Sequence, residues 1–297
     1  MRSFFRTAVG EGRGARGERR IPKAVGPLAA GRLPLAGLLI VALAIVGRID
    51  PTEDAWAGAN ELTIAAASDL NFAFKELAGT FEQQTGTRVK LSLGSSGNFF
   101  AQIQNGAPFD LYFSADVRYP EKLVEAGQAV AGSLYRYAVG RIVVWVPASS
   151  KLAVESRGLD ALADSAVRKI AIANPKHAPY GRAAVAALEH VKLYERVKDK
   201  LVLGENISQA AQFVSSGSAD AGIVALSLAL APGMKETGRY WEIPIESYPP
   251  IEQGAVILKA AKNVEAAEAF LLFLRSPAGQ AVMQRYGFTL PSSEAPR

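Results

Sequence analysis

From residue 60 onward the sequence repeats one pattern: a short apolar segment, a turn of small polar residues, and a segment with helical apolar periodicity. The apolar segments predict buried strands at residues 62–67, 89–93, 110–114, 142–146, 169–173, 201–203, 221–225 and 255–258. Helices are predicted from Pro120 and over residues 207–215, 264–274 and 277–286. Strands that alternate with helices predict an α/β fold with mainly parallel sheets.

The repeating pattern is too long for one compact core and predicts two α/β lobes. A linker rich in glycine, serine or proline does not divide the sequence into halves. We therefore expect strands that cross between the lobes, at residues 137–143 and 250–256. Residues 58–138 together with 251–297 would form lobe one, and residues 139–250 would form lobe two.

The positive charge is concentrated before this pattern begins. Residues 1–57 hold nine basic and five acidic side chains, which leaves 24 basic and 23 acidic side chains from Gly58 onward. A basic region, an apolar run at residues 33–46 and Ala55-Trp56-Ala57 predict a signal peptide over residues 1–57, with an uncleaved membrane anchor as the alternative. The remaining net charge of +1 argues against a nucleic-acid partner.

The sequence contains no cysteine and only two histidines, His177 and His190. This composition excludes disulfides, thiolate nucleophiles and metal sites built from cysteine or several histidines. The motifs of the nucleophile elbow, the zincins and the P-loop are missing too, so we expect neither an enzyme nor a cofactor. A hydrolase stays open because triads assemble in space. A ferric site stays open because phenolates bind iron and the chain offers Tyr112, Tyr119, Tyr135 and Tyr137.

Four turns between a predicted strand and a predicted helix share one chemistry. They are Ser68-Asp69, Ser95-Ser96-Gly97-Asn98, Pro179-Tyr180-Gly181 and Glu205-Asn206-Ile207-Ser208. A helix N-terminus presents unpaired N–H groups and partial positive charge, so it binds oxyanions without a cation. Each turn alone is ordinary capping chemistry. A cleft between the lobes would bring all four turns to one small anion.

Several motifs closely resemble the periplasmic molybdate-binding proteins of ABC transporters, in the order in which that family has them. They are Ala65-Ala66-Ala67-Ser68, Gly94-Ser95-Ser96-Gly97, the segments 106–116 and 173–181, and Tyr286-Gly287-Phe288-Thr289-Leu290-Pro291. The resemblance implies a two-lobed type II periplasmic binding protein fold, with a hinge of two crossing strands and the ligand cleft between the lobes. It implies capture of molybdate or tungstate; sulfate or phosphate is the alternative oxyanion.

The resemblance also implies which residues bind the oxyanion. Ser68 and Ser96 would each supply a hydroxyl and an N–H group, and Tyr180 and Ile207 would each supply a backbone N–H group. Asp69 would be the fifth contact; supporting turns would come from Ser95, Gly97, Asn98 and Asn206. The metal would be held only through its own oxygens. The implied partner is an ABC permease in the cytoplasmic membrane, served by a periplasmic monomer.

Asp69 fits this site poorly, because a carboxylate repels a dianion. Two interpretations remain open at the level of sequence. Either the side chain turns away and caps the helix while its N–H group faces the ligand, or the carboxylate accepts a proton from a ligand such as hydrogen phosphate.

Overall fold

The computed structural model describes residues 61–290, and the predicted signal peptide lies outside them. The strands are β1 (Glu61–Ala67), β2 (Arg88–Gly94), β3 (Leu111–Ser114), β4 (Tyr135–Gly140), β5 (Ile142–Pro147), β6 (Ile170–Ala173), β7 (Leu201–Gly204), β8 (Ala221–Ala225), β9 (Gly238–Glu242) and β10 (Ile251–Ile257). The helices are α1 (Asn71–Thr85), α2 (Ser96–Gln104), α3 (Arg118–Glu125), α4 (Val154–Arg157), α5 (Pro179–His190), α6 (Tyr194–Val197), α7 (Ile207–Ser215), α8 (Leu226–Ala229), α9 (Pro232–Lys235), α10 (Val264–Arg275) and α11 (Pro277–Arg285). In this part of the chain no helix combines the length and the apolar character that a membrane span requires.

The strands form two five-stranded sheets with the same plan. The first sheet has the order β2-β1-β3-β10-β4, and the second has the order β7-β6-β8-β5-β9. In each sheet the first three strands are parallel. The fourth strand of each order, β10 or β5, is antiparallel to both of its neighbours. Four of the five strands in each sheet therefore run in one direction, as predicted. Each sheet is nevertheless mixed, because β5 and β10 each follow a strand of the other sheet and do not follow a βα unit.

The chain passes from one sheet to the other twice within the described residues. β4 belongs to the first sheet and β5 to the second, and only Arg141 separates them. The chain returns between the end of β9 at Glu242 and the start of β10 at Ile251. The second passage leads into a strand that lies between β3 and β4, so the first sheet includes a strand from late in the chain.

Each sheet is covered by helices and has its own apolar core. In the first core, the ring of Phe74 packs edge-on against Phe113 with the ring centroids 4.7 Å apart, and Phe81 packs against Phe270 at 5.2 Å. The second core contains residues 142–146 of β5, all of β8 except Gly222, and the buried faces of α5 and α7. β1 and β6, with buried residues at nearly every position, run as near-continuous apolar segments. The carboxyl end of each of these strands leads into the turn that precedes the next helix.

Candidate functional site

The predicted site residues come together at the carboxyl ends of strands from both sheets. Ser68 and Asp69 follow β1, Ser96 opens α2 after β2, Tyr180 lies in the first turn of α5, and Ile207 opens α7. All five line one small pocket, and Gly94, Ser95, Ala115 and Pro179 complete much of its wall. The first turn of a helix has no intrahelical partners for its N–H groups, so these turns present donors to the pocket.

Ser68 is held by the turn that opens α7. Its hydroxyl donates to Asn206 Oδ1 at 3.1 Å and accepts a bond from the N–H group of Ser208 at 3.2 Å. The Ser208 hydroxyl in turn donates to the carbonyl of Ser68 at 2.8 Å. Asn206 is the N-cap of α7, since its side chain also accepts from the N–H group of Gln209. Asn206 therefore supports the site by fixing both the helix start and the Ser68 hydroxyl.

Ser96 is fixed from the side of β3. Its Oγ accepts a bond from the N–H group of Ala115 at 2.9 Å, and its carbonyl accepts a bond from the Tyr112 hydroxyl at 2.7 Å. A serine hydroxyl that accepts a bond still has its own proton to donate. Ser96 is 1% exposed and lines the pocket, so this proton is available to a group bound there.

The turn around Gly97 approaches the loop before α5 closely. Gly97 donates from its N–H group to the carbonyl of His177 at 2.9 Å, and a Cβ atom at Gly97 would lie only 2.7 Å from that oxygen. The Ser95 hydroxyl shares a 2.9 Å hydrogen bond with Nδ1 of His177. Asn98 donates from its side chain to Glu205 Oε1 at 2.5 Å. Ser95, Gly97 and Asn98 therefore tie the end of β2 to turns that belong to the second sheet.

The Asp69 side chain does not cap a helix, so the capping interpretation is wrong. Its Oδ2 accepts bonds from the Tyr180 hydroxyl at 2.9 Å and from Nε2 of Gln253 at 2.7 Å. The Tyr137 hydroxyl donates to Gln253 Oε1 at 2.6 Å. Asp69 thus joins a buried network that includes β4 and β10, and Gly140 makes room for it because a Cβ there would strike the Tyr180 hydroxyl.

Burial dominates the electrostatics of this network. Desolvation raises the pKa of Asp69 to about 6, and the bonds from Gln253 and Tyr180 only partly oppose that effect. Oδ1 of the same carboxyl has no hydrogen-bond partner. Burial, reinforced by the charge of Asp69, raises the pKa of Tyr137 and of Tyr180 well above the usual value, so both phenols remain neutral donors.

The pocket has hydrogen-bond donors but no lysine or arginine among its lining residues. The nearby ion pair between Arg182 and Asp116, 2.6 Å long, lies against a neighbouring cavity. Such a site can bind the oxygens of a small anion through N–H and O–H groups, as helix N-termini do. Among the described residues, no group of three or more histidines, aspartates or glutamates is arranged to hold a metal ion.

Sequence reasoning missed two residues that fix the site. They are Gln253 and Ser227, whose hydroxyl donates to the carbonyl of Asp69 at 2.7 Å. Ser208 was named only as part of the turn with Asn206 and Ile207, and its bonds to Ser68 were not predicted. Gln253 and Ser227 stand 184 and 158 residues from Asp69, and no local pattern marks them.

Comparisons with known proteins agree with this architecture. Residues 62–289 match the family described as bacterial extracellular solute-binding protein. The chain is 43% identical to the molybdate-binding protein ModA of Azotobacter vinelandii over 79% of its own length and 92% of that protein. It is 40% identical to the molybdate-binding protein ModA of Rhodobacter capsulatus, over 78% of its own length and 89% of the relative.

A solved structure supports the same conclusion. The periplasmic molybdate-binding protein of Azotobacter vinelandii superposes with a TM-score of 0.73 at 38% identity, over 78% of this chain and 100% of that one. The predicted α/β fold of the periplasmic binding proteins is thereby confirmed, and so is the resemblance to the molybdate-binding proteins of ABC transporters. The chain belongs to the family of bacterial extracellular solute-binding proteins.

Proposed function

We propose that this protein captures molybdate or tungstate and delivers it to an ABC transporter permease. The observation that carries the proposal is the pocket itself, which is walled by turns from both sheets and has donors but no cation. Two relatives with at least 40% identity are named as molybdate-binding proteins. These names and the chemistry of the pocket agree on a small oxyanion.

The binding roles follow from the turns. Ser96, Tyr180 and Ile207 supply backbone N–H groups to the anion, and Ser96 also supplies its hydroxyl. Ser68 supplies its N–H group and, on giving up its bond to Asn206 Oδ1, its hydroxyl. Since a hydrogen bond to a charged group contributes about 1.5–3 kcal/mol, a few such donors are enough to hold a dianion. The molybdenum is not ligated by the protein, because its own four oxygens face the donors. Selectivity against sulfate then comes from the size of the cavity and not from charge.

Delivery requires two states of the protein. We propose lobe one at residues 58–138 with 251–297 and lobe two at 139–250, the bounds predicted from the sequence. Because β4 of the first sheet ends at Gly140, the first passage between the lobes lies at Arg141, and the second spans residues 243–250. An anion that contacts both lobes favours the closed state, which the permease then recognises. The protein acts as a periplasmic monomer, exported by a signal peptide that is removed after Ala57. It has no catalytic role and needs no cofactor.

Calorimetric titration of the purified protein with molybdate, tungstate, sulfate and phosphate tests the proposal. We expect saturable binding of one molybdate or tungstate per chain and much weaker binding of sulfate. Ser68→Ala and Ser96→Ala should each weaken molybdate binding by about 10- to 100-fold, the loss of one hydrogen bond to a charged group. The control is Ser216→Ala, an exposed serine after α7, which should bind as the unchanged protein does. Binding of sulfate or phosphate without binding of molybdate would refute the assignment.

The other candidate functions lack a supporting site. Tyr112 and Tyr137 are buried and bonded to Ser96 and Gln253, while Tyr119 packs on Phe100 and Tyr135 under Arg275, so a shared ferric site has no support. The serine that contacts His177 is the N-cap Ser95. Glu205 lies 3.8 Å from His177, beyond hydrogen-bond distance, so a hydrolase has no oriented triad to rest on.

A further inference from the structure

Asp69 is an unexpected residue in the lining of a pocket for a dianion. Asp69 is 1% exposed and lines the same pocket as Ser68, Ser96 and Ile207. Two negative charges in one buried site repel each other strongly, since little water screens them. Binding of the anion and ionisation of Asp69 therefore oppose each other.

The hydrogen bonds of this carboxyl leave one oxygen available for a proton. The Tyr180 hydroxyl and Nε2 of Gln253 both donate to Oδ2, and Oδ1 has no partner. A proton placed on Oδ1 leaves both of these bonds intact. The carboxyl can thus become neutral without any rearrangement of its neighbours.

The charged groups around Asp69 do not stabilise its ionised form. The titratable side chains that face it are Tyr180 and Tyr137, and both are neutral donors. α7 and α8, which pack against its turn, have no charged residue. The charged side chains of α1 and β2 are Lys75, Glu76, Glu82, Arg88 and Lys90; Glu82 is half-buried and accepts from Val89, and the others are exposed. On α5, Arg182 pairs with Asp116, and Glu189 and His190 are exposed. On β4, Arg136 pairs with Glu121. On β10, Glu252 is exposed.

We infer that the oxyanion binds together with one proton, which Asp69 takes up from solvent as the anion enters. The inference rests on the proposed function. The step forms one O–H bond at the Asp69 carboxylate and breaks the bond that held the proton in the acid form of the buffer; when the anion leaves, the proton returns to the buffer. Before the anion binds, burial raises the pKa of Asp69 to about 6, so at pH 7.5 the group is ionised and ready to accept the proton.

Titration calorimetry with sodium molybdate measures this proton directly. At pH 7.5 the binding heat is recorded in buffers with different ionisation heats, and its slope gives the number of protons taken up. We expect nearly one proton per molybdate, and an affinity that falls by up to about tenfold per pH unit between pH 6.5 and 8. Asp69→Asn should bind molybdate with no buffer dependence and a flat pH profile. The control Asp199→Asn changes an exposed aspartate between α6 and β7, and it should behave as the unchanged protein does.

The outcomes separate this inference from the proposed function. Molybdate binding with buffer-independent heat in the unchanged protein overturns the inference and leaves the proposed function intact. The same proton uptake in Asp69→Asn also overturns it, because another group would then be responsible. If Asp69→Asn does not fold, infrared spectroscopy of the unchanged protein decides: the carbonyl band of a protonated carboxyl must appear on adding molybdate, and its absence overturns the inference. Failure of every oxyanion to bind refutes the proposed function itself.

Discussion

At the scale of single residues, the position of Asp69 is best explained by its neighbours on both sheets. One carboxyl oxygen receives donors from Tyr180 of α5 and Gln253 of β10, and the carbonyl of the same residue receives the Ser227 hydroxyl. Each of these bonds joins the turn after β1 to a distant part of the chain. The side chain therefore fixes the turn that presents Ser68, at the cost of a buried charge.

The buried carboxyl of Asp69 makes the stability of the ligand-free protein depend on pH. Its pKa is about 6 in the folded protein and 3.8 when unperturbed, so the folded state holds the proton more tightly. The free energy of unfolding therefore falls as the pH rises from about 4 to about 6, by roughly 3 kcal/mol from this group. Urea unfolding of Asp69→Asn and of the control Asp199→Asn at pH 4.5 and 7 measures the effect. Equal pH dependence in both variants would contradict this account.

Removal of the Tyr180 hydroxyl tests the same network and keeps the backbone N–H group of Tyr180, the proposed donor to the anion. Tyr180→Phe leaves Oδ2 of Asp69 with Gln253 alone, and it leaves a cavity where the hydroxyl met Nε2 of Gln253 at 3.0 Å. We expect a loss of about 1–3 kcal/mol in unfolding free energy at pH 7. Tyr194→Phe, in the half-buried tyrosine of α6, is the control. A loss no larger than that of the control would show that the network contributes little.

At the scale of elements, local sequence chemistry was sufficient for the turns that build the site. The helix over residues 207–215 and the strand over residues 221–225 were predicted with the bounds that the structure has. Asn206 and Ser95 are caps in the structure as well, because capping depends only on residues within one turn. The predicted site residues lie together in one pocket for the same reason: each lies in the turn that leads into a helix or in the first turn of that helix.

Elements that depend on distant partners were not predictable in the same way. β9 was missed, since the residues of Gly238–Glu242 are half-buried or exposed and have no apolar alternation. β10 begins at Ile251, close to the crossing strand predicted over residues 250–256, whereas the apolar pattern alone marked only residues 255–258; the segment Glu252-Gln253-Gly254 is paired with β4 across a bulge. The direction of β5 and β10 depends on the passages between the sheets, which no local pattern encodes. Gln253 was not predicted as a site residue for the same reason, since its role depends on partners that are distant in the sequence.

Because α2 approaches the loop before α5 closely, adding one methyl group at Gly97 should have a large effect on molybdate affinity. Gly97→Ala places a Cβ atom 2.7 Å from the carbonyl of His177, so the turn and the loop must separate. We expect molybdate affinity to fall by at least about tenfold while the thermal unfolding of the ligand-free protein changes little. Gly79→Ala is the matched control, because a Cβ in that α1 position meets nothing within 4 Å and helix propensity improves. Comparable affinities of the two variants would show that the approach is not needed for binding.

At the scale of the whole molecule, two sheets of the same order face one pocket and are joined by two passages of the chain. Donors to the pocket come from β1 and β2 of the first sheet and from the helices after β6 and β7 of the second. A ligand that needs both sets of donors must oppose their separation. Binding, shape and stability of the molecule are therefore coupled.

Molybdate should compact and stabilise the protein together. Small-angle scattering is expected to show a smaller radius of gyration on adding molybdate, and the melting temperature should rise with ligand concentration by mass action. At a molybdate concentration of 100 times the Kd, the gain in unfolding free energy is about 2.7 kcal/mol. In Ser68→Ala the same gain should need a correspondingly higher concentration. A melting temperature that does not change with molybdate would contradict the coupling.

The position of β10 between β3 and β4 has a consequence for the order of folding during synthesis. β1, β2 and β3 can pair as soon as residues 61–114 have been made, but β4 has no neighbour in its sheet until β10 emerges, more than a hundred residues later. The first sheet is therefore incomplete until β10, Ile251–Ile257, has been made. The first sheet thus stays open at β4 while the whole of the second sheet, β5 to β9, is being made.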